Sequence, residues 1–259
     1  MDHAATTNHF NRWYTTSDGS AGLEIMREHL GYPSGVETTS ALPFEGLQEV
    51  SRFLDLAPDD VLIDVGCGRG SLGIWVAEQS GARLLGLDAS EVAVEQARNR
   101  AGSLGAEHGR IDFRVGSLED TKLSDGTADA LMCIDSIAFA DDIARAAREM
   151  RRVVQPGGRI VVTGWEAADR ADTSLPERLR AVDLGNQLRA AGLSDVNIEE
   201  RRGWTERERS MWHALESLSA PDDAFVQSLV QEAREILPLL DRRRRVMATA
   251  RVESRVEPR

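Results

Sequence analysis

The sequence predicts a doubly wound α/β fold: a mostly parallel sheet with helices on both faces and a helical lid. Three observations predict it. Short apolar runs recur at 61–65, 83–87, 111–115, 128–134 and 159–163. Helical patterns separate most of them, the spacing expected of right-handed strand–helix–strand crossovers. Two runs end on an acid and open into a turn, Asp64 before the glycine-rich stretch 66–70 and Asp88 before Ala89.

The totals fit one large domain. The chain has 259 residues, of which 41% are apolar, enough for a substantial core. A net charge of −12 disfavours phosphate backbones and anionic membranes as partners. The basic run 242–245 reads as a solvated helix end. Cys67 and Cys133 lie in or beside apolar runs with no metal-ligand spacing and no disulfide framework, so a reduced, cytoplasmic setting is expected. The N-terminus lacks a basic region followed by an apolar stretch, and no apolar run reaches the roughly 18 residues of a membrane span.

The elements follow in order. Residues 14–19 read as a loop and 23–30 as a short helix, broken at 31–35 by glycines and Pro33. Phe44, Leu47, Val50, Phe53 and Leu54 give 44–56 a helical period. A turn at 58–60 leads into strand 61–65. Helix 71–79 and strand 83–87 come next. Ser90 is a candidate N-cap for a helix running to about Leu104. Strands 111–115 and 128–134, helix 141–154, a Pro-Gly-Gly turn at 156–158 and strand 159–163 complete the alternation. Then come helix 176–191 capped by Gly192, strand 196–200, helices 204–217 and 222–237, and a segment 245–252 that reads as a final strand in preference to a continuation of the preceding helix. The expected organisation is an N-terminal helical cap (1–45), an α/β core (46–203), a lid insertion (204–240) and a final strand with its tail (241–259).

Open parallel sheets bind ligands beyond the carboxyl ends of their strands, where strand order reverses. Small and acidic residues crowd there: Asp64 with 66–70, Asp88, Ser117 with Leu118, Ile134 with Asp135, and Trp165 with Glu166. A dinucleotide site competes, but its Gly-x-Gly-x-x-Gly/Ala fingerprint has Ser71 at the third position here. Asp64, two residues before the first glycine, would repel a pyrophosphate and welcome a cationic amine.

The motif Asp64-Val-Gly-Cys-Gly-Arg-Gly70 resembles the first motif of class I methyltransferases that use S-adenosylmethionine. The resemblance spans about residues 55–165 and implies their seven-stranded, Rossmann-like fold. It also implies roles. Asp64 would handle the methionine amine. Gly66, Cys67 and Gly68 would line the methionine and ribose, Cys67 through its backbone. Asp88 would accept the ribose hydroxyls, and Ala89 would lie beside the adenine. Ser117 and Leu118 match the third-strand motif, with Ser117 where an acid is usual. Ile134 and Asp135 match the loop beside the methionine tail.

Nucleic-acid amino methyltransferases carry Asn/Asp-Pro-Pro-aromatic after the fourth strand, and cytosine-C5 enzymes carry a Pro-Cys nucleophile. This chain has neither, so the resemblance implies a small-molecule acceptor in specialised metabolism, oxygen first, nitrogen or carbon next. No metal is implied. A homodimer is the one protein association considered. In-line methyl transfer depends chiefly on alignment and exclusion of water; a base adds to it. The base candidates are His213 in the lid, Asp135 and Glu166. A surface histidine, a cofactor-orienting aspartate and a structural glutamate are the competing readings. Tyr14, Phe139, Trp165, Trp204 and Trp212 are candidate walls of an acceptor pocket, with ordinary packing as the alternative. An NAD-linked oxidoreductase and a catalytically silent cofactor-binding protein are the alternative functions.

Overall fold

This computed structural model describes residues 3–17, 20–105, 109–218 and 223–254. Among them, seven strands form one sheet: β1 (Val61–Val65), β2 (Arg83–Asp88), β3 (Ile111–Val115), β4 (Ala128–Ile134), β5 (Val154–Ala167), β6 (Ser194–Glu200) and β7 (Arg243–Arg251). Their order is β3-β2-β1-β4-β5-β7-β6. β1 to β5 run parallel, and β7 inserts antiparallel between β5 and β6. Strand order reverses between β1 and β4, so Asp64 and the Ile134–Asp135 turn flank the switch point where ligands of such sheets bind.

Alternation along each strand builds two cores. Leu62, Leu84, Met132 and Val161 face α3 (Phe44–Leu54), α4 (Ser71–Ser80) and α5 (Glu91–Ser103). Ile63, Leu87, Leu131 and Val162 face α6 (Ile143–Val153) and α8 (Leu184–Ala190). Side-chain caps start the helices where polar residues precede apolar ones. The Ser90 hydroxyl accepts from the Ala93 N–H, and the Asp142 carboxylate from the Arg145 N–H.

Four segments depart from the sequence expectation. Tyr14 lies inside α1 (His3–Thr16) rather than in a loop; Asp18 and Gly19 fall outside the described residues. The Thr15 hydroxyl donates to the Asn11 carbonyl within that helix, and Trp13 packs edge-on against Phe225 at 4.9 Å. Distant partners therefore fix a segment whose local signals are weak. The expected helix 176–191 is two, α7 (Glu177–Arg180) and α8, because Asp183 breaks the run and caps the second by accepting from the Asn186 N–H. β5 is longer than 159–163, beginning before the turn at 156–158, where Gly157 takes φ +86°, and ending at Ala167.

The fourth departure concerns the basic run 242–245. Only Arg242 ends a helix, the 3₁₀ turn Leu237–Arg242, where it pairs with Asp172; Arg243 to Arg245 open β7, the final strand, and alternate. Arg245 is fully buried and Arg243 nearly so, on one face, while Arg244 pairs with Glu166 on the other.

The insertion between β6 and β7 is helical, α9 (Arg202–Glu216) and α10 (Ala224–Ile236); Asp222, at the expected start of α10, lies outside the described residues. α9 packs on α2 (Ala21–His29), α10 and β7. Among the described residues, no helix is long and apolar enough to cross a membrane.

Candidate functional site

One cavity opens at the carboxyl ends of β1, β2 and β4, walled by α1 and the segment 37–40, with about 1100 Å³ of space that is partly open to solvent. Every residue the sequence assigned to the cofactor lines it, except Gly68. Gly68 sits one step back, its N–H donating to Asp88 Oδ2 at 2.8 Å.

The local backbone explains the glycines. Gly66, Gly68 and Gly70 take φ of +76°, +53° and +74°, the left-handed region that suits glycine. At Gly66 a Cβ would lie 2.5 Å from Ser136 Cβ, and at Gly68 one would lie 2.7 Å from the Tyr14 hydroxyl. The turn thus brings backbone against its neighbours where no side chain fits.

Two acids face this space without a cation. Asp64 is 2% exposed, and burial, with the Asp88 charge beside it, pushes its carboxyl up to about 8. Asp88 is also raised, by burial, while the Ser90, Gly68 and Ala89 N–H groups hold it down. Among the described residues neither makes an ion pair. Arg69 is the only arginine lining the cavity among the described residues; it donates to Gln96 (2.9 Å) and to the Ser17 hydroxyl (2.6 Å). Asp88 accepts from the Gly68 N–H at 2.8 Å on one oxygen and from the Ser90 N–H at 2.9 Å on the other, with the Ala89 N–H also directed at it. A carboxylate has about four acceptor sites, so capacity for further donors remains.

Asp135 closes the other end of the cavity. It has φ +56° and is 9% exposed. Its Oδ1 accepts from the Thr163 hydroxyl (2.8 Å), and its Oδ2 from the Ser40 hydroxyl (2.6 Å) and Arg245 (2.7 Å). Its oxygens are thus already committed within the chain.

The remaining candidates divide. Tyr14 and Phe139 line the cavity. Tyr14 lies at the Gly68 and Asp88 side, and burial raises its phenol well above 10, so it is a neutral donor. Trp165, Trp204 and Trp212 do not line it. The Trp165 and Trp212 indoles donate to buried Glu208, and Trp204 packs against α3 at Gly46. Glu166 faces the opposite side of the sheet, accepting from the Leu184 N–H at 2.8 Å and pairing with Arg244. His213 lies on the outer face of α9, its side chain 62% exposed, 3.7 Å from Glu216. α9 buries Trp204, Glu208, Met211, Trp212 and Leu215, which turns residue 213 to solvent.

The sequence reading missed Thr6, Thr7 and Phe10 of α1, and Thr39 and Ser40. Phe10 stands one helical turn before Tyr14, a spacing that would have found it had α1 been read as a helix. Thr39 and Ser40 carry no local signal.

Comparison with known proteins bears on this cavity. Residues 63–162 match the methyltransferase domain family model. The match covers 100 of the 259 residues, and over them the chain is similar to that family. The methyltransferase GfsG of Streptomyces halstedii is 31% identical over 137 residues, covering 52% of this chain and 49% of that protein. The chain spans about half the length of the first curated relatives it matches. The methyltransferase fold extends further. The [4+2]-cyclase SpnF superposes with a TM-score of 0.70 at 23% identity, over 89% of this chain and 92% of that one. Geranyl diphosphate C-methyltransferase from Streptomyces coelicolor, in complex with Mg2+, geranyl-S-thiolodiphosphate and S-adenosyl-L-homocysteine, does so at 0.70 and 17%, over 97% and 99%. At these identities the likeness is one of fold. The domain match supplies the first strand, its glycine turn and the four strands that follow.

Proposed function

We propose that this protein transfers a methyl group from S-adenosylmethionine to a small molecule, oxygen first, nitrogen or carbon next. The single observation carrying the reading is the uncompensated acid pair Asp64 and Asp88 beside a glycine turn that no side chain could replace. A ligand with one cationic amine and a vicinal diol fits that donor set; a pyrophosphate does not. Asp64 receives the ammonium, and Asp88 receives the ribose hydroxyls on its free lone pairs. Ala89, Ser117 and Leu118 lie against the adenine, and Ile134 against the methionine tail. S-adenosylmethionine, when bound, supplies a methyl group already activated on a sulfonium.

The chain's own contribution is binding, orientation and exclusion of water. Tyr14 donates from a phenol that stays protonated. Phe10 and Phe139 meet edge-on at 4.9 Å at the cavity wall, between α1 and the turn at Ile137–Phe139. They are the aromatic surfaces proposed to hold the acceptor. With Asp135 engaged by three donors, the proposal gives it a structural part at the wall, and rate comes from alignment. The setting proposed is the cytoplasm, with no nucleic acid or membrane as partner given the net charge of −12, and with homodimerisation left as a proposal.

Calorimetry with S-adenosylhomocysteine and with NAD, followed by turnover to S-adenosylhomocysteine with phenols, enols and amines, tests the reading. Binding of the first and not the second, with turnover of one acceptor class, is expected. Tight NAD binding would overturn it in favour of an oxidoreductase. Cofactor binding with cyclisation and no methyl transfer would assign a reaction such as that of the cyclase sharing this fold.

A further inference from the structure

The inserted helices line none of the cavity, yet a buried chain of polar contacts runs from α9 to its wall. Glu208, fully buried in α9, accepts from the indole N–H groups of Trp165 (2.9 Å) and Trp212 (3.0 Å) and pairs with Arg243. Trp165 and Arg245 are directly opposed across β5 and β7, and the Arg245 guanidinium lies 4.1 Å from the Trp165 ring. Trp204 flanks it at 5.9 Å. That guanidinium donates to Asp135 at 2.7 Å, while its Nε and Nη1 are buried without a hydrogen-bond partner.

Asp135 passes the constraint on. The Ser40 hydroxyl donates to Asp135 and accepts from the Leu42 N–H at 2.9 Å. The Leu42 carbonyl accepts from the Tyr32 hydroxyl at 2.8 Å. Thr39 and Ser40, between these anchors, are wall of the cavity.

A buried ion pair is weak evidence for stability, since well-packed apolar residues often serve as well or better. This one also leaves two guanidinium nitrogens without partners, which adds to its cost. What an Arg–Asp pair does that apolar residues cannot is fix direction. We propose that Arg245 is a positioning residue: oriented by Trp165 and Glu208, it aims Asp135 at Ser40 and so holds the segment 38–42 against the cavity. The insertion acts on the site from behind.

Backbone amide hydrogen exchange in the full-length free protein tests this, with Leu42 as reporter and β4 amides as internal control. Arg245→Met should speed Leu42 exchange about tenfold relative to β4, the loss expected when a charged hydrogen bond goes. Arg245→Lys should restore most of the protection. Glu208→Gln, which touches neither Asp135 nor Ser40, should speed the same amide by a smaller factor. Unchanged Leu42 exchange in Arg245→Met overturns the proposal. So does acceleration of Leu42 and β4 in parallel, which would mark a role in stability only, and so does a Glu208→Gln protein with wild-type Leu42 protection. Should Arg245→Met fail to fold, Ser40→Ala must reproduce the selective acceleration and Glu208→Gln must give part of it; failure of either overturns the proposal. None of these readouts depends on methyl transfer.

Discussion

Asp64 is a carboxyl that no described side chain neutralises, and its titration is a direct consequence. Burial with Asp88 nearby puts it at about 8 in the free protein, against about 3.9 in an unfolded chain. Between those values the folded state holds a proton that the unfolded state has lost. Linkage then makes stability fall as pH rises through that window and level off above it. The stabilising contribution is complete below about pH 4 and gone above about pH 8. Melting temperatures measured from pH 5.5 to 8.5 should therefore decline more steeply for wild type than for Asp64→Asn. Parallel slopes would show that Asp64 titrates normally. The neighbouring Asp88 gives a second prediction. On the proposed reading, Asp88→Ala removes charge-assisted bonds to the ribose worth roughly 1.5–3 kcal/mol, so S-adenosylhomocysteine affinity should fall at least about tenfold. Unaltered affinity in a folded variant would remove Asp88 from the cofactor site.

At the scale of elements, β3 illustrates what a sheet edge needs. It is an outer strand of the sheet, and Val115 at its end is 48% exposed. Exposed edges invite pairing with other chains. Arg98 of α5 blocks this one: its Nε and Nη2 both donate to the Phe113 carbonyl, at 3.0 and 2.6 Å. Arg98→Ala should cost only about 1 kcal/mol of stability yet raise light scattering on mild heating well above wild type. Equal scattering would mean that the edge is protected by other means. Strands and caps of this kind are legible because their signals are local. The bounds of β1, β3 and β4 follow from apolar runs bordered by turns, and Ser90 announces α5. The cavity wall at the strand ends is legible for the same reason, since each strand end carries its own residues in sequence. α1 is not legible, because Phe10 and Trp13 are fixed by Phe139 and Phe225, far away in the chain. The run 242–245 misleads for a related reason. Arg243, Arg244 and Arg245 look solvated until α9 supplies Glu208 and the sheet supplies Glu166 and Asp135. The lid tryptophans and His213 fail similarly, since which face of α9 turns inward depends on α2 and α10.

For the molecule as a whole, α1 forms one wall of the cavity, and a buried residue of the glycine turn bonds to the end of that helix. Arg69 is 5% exposed; its Nη2 donates to the Ser17 hydroxyl and, at 3.3 Å, to the Tyr14 carbonyl. Its Nε holds Gln96, whose amide donates to the same carbonyl at 3.1 Å. Ser90, beyond Asp88, reaches Asn11 at 2.6 Å. The glycine turn and the α1 wall over it are therefore latched together, and the proposed ligand is expected to leave faster once the latch is removed. Arg69→Ala removes the central bonds without removing any carboxylate or glycine proposed to touch ligand. Its S-adenosylhomocysteine should dissociate about tenfold faster or more, in line with the loss of a charged hydrogen bond. The association rate should change less, since opening is already part of entry. Stopped-flow displacement by excess ligand separates the two rates. Dissociation at the wild-type rate from a folded Arg69→Ala protein would show that α1 does not gate the cavity, and that the ligand leaves past Phe139 instead.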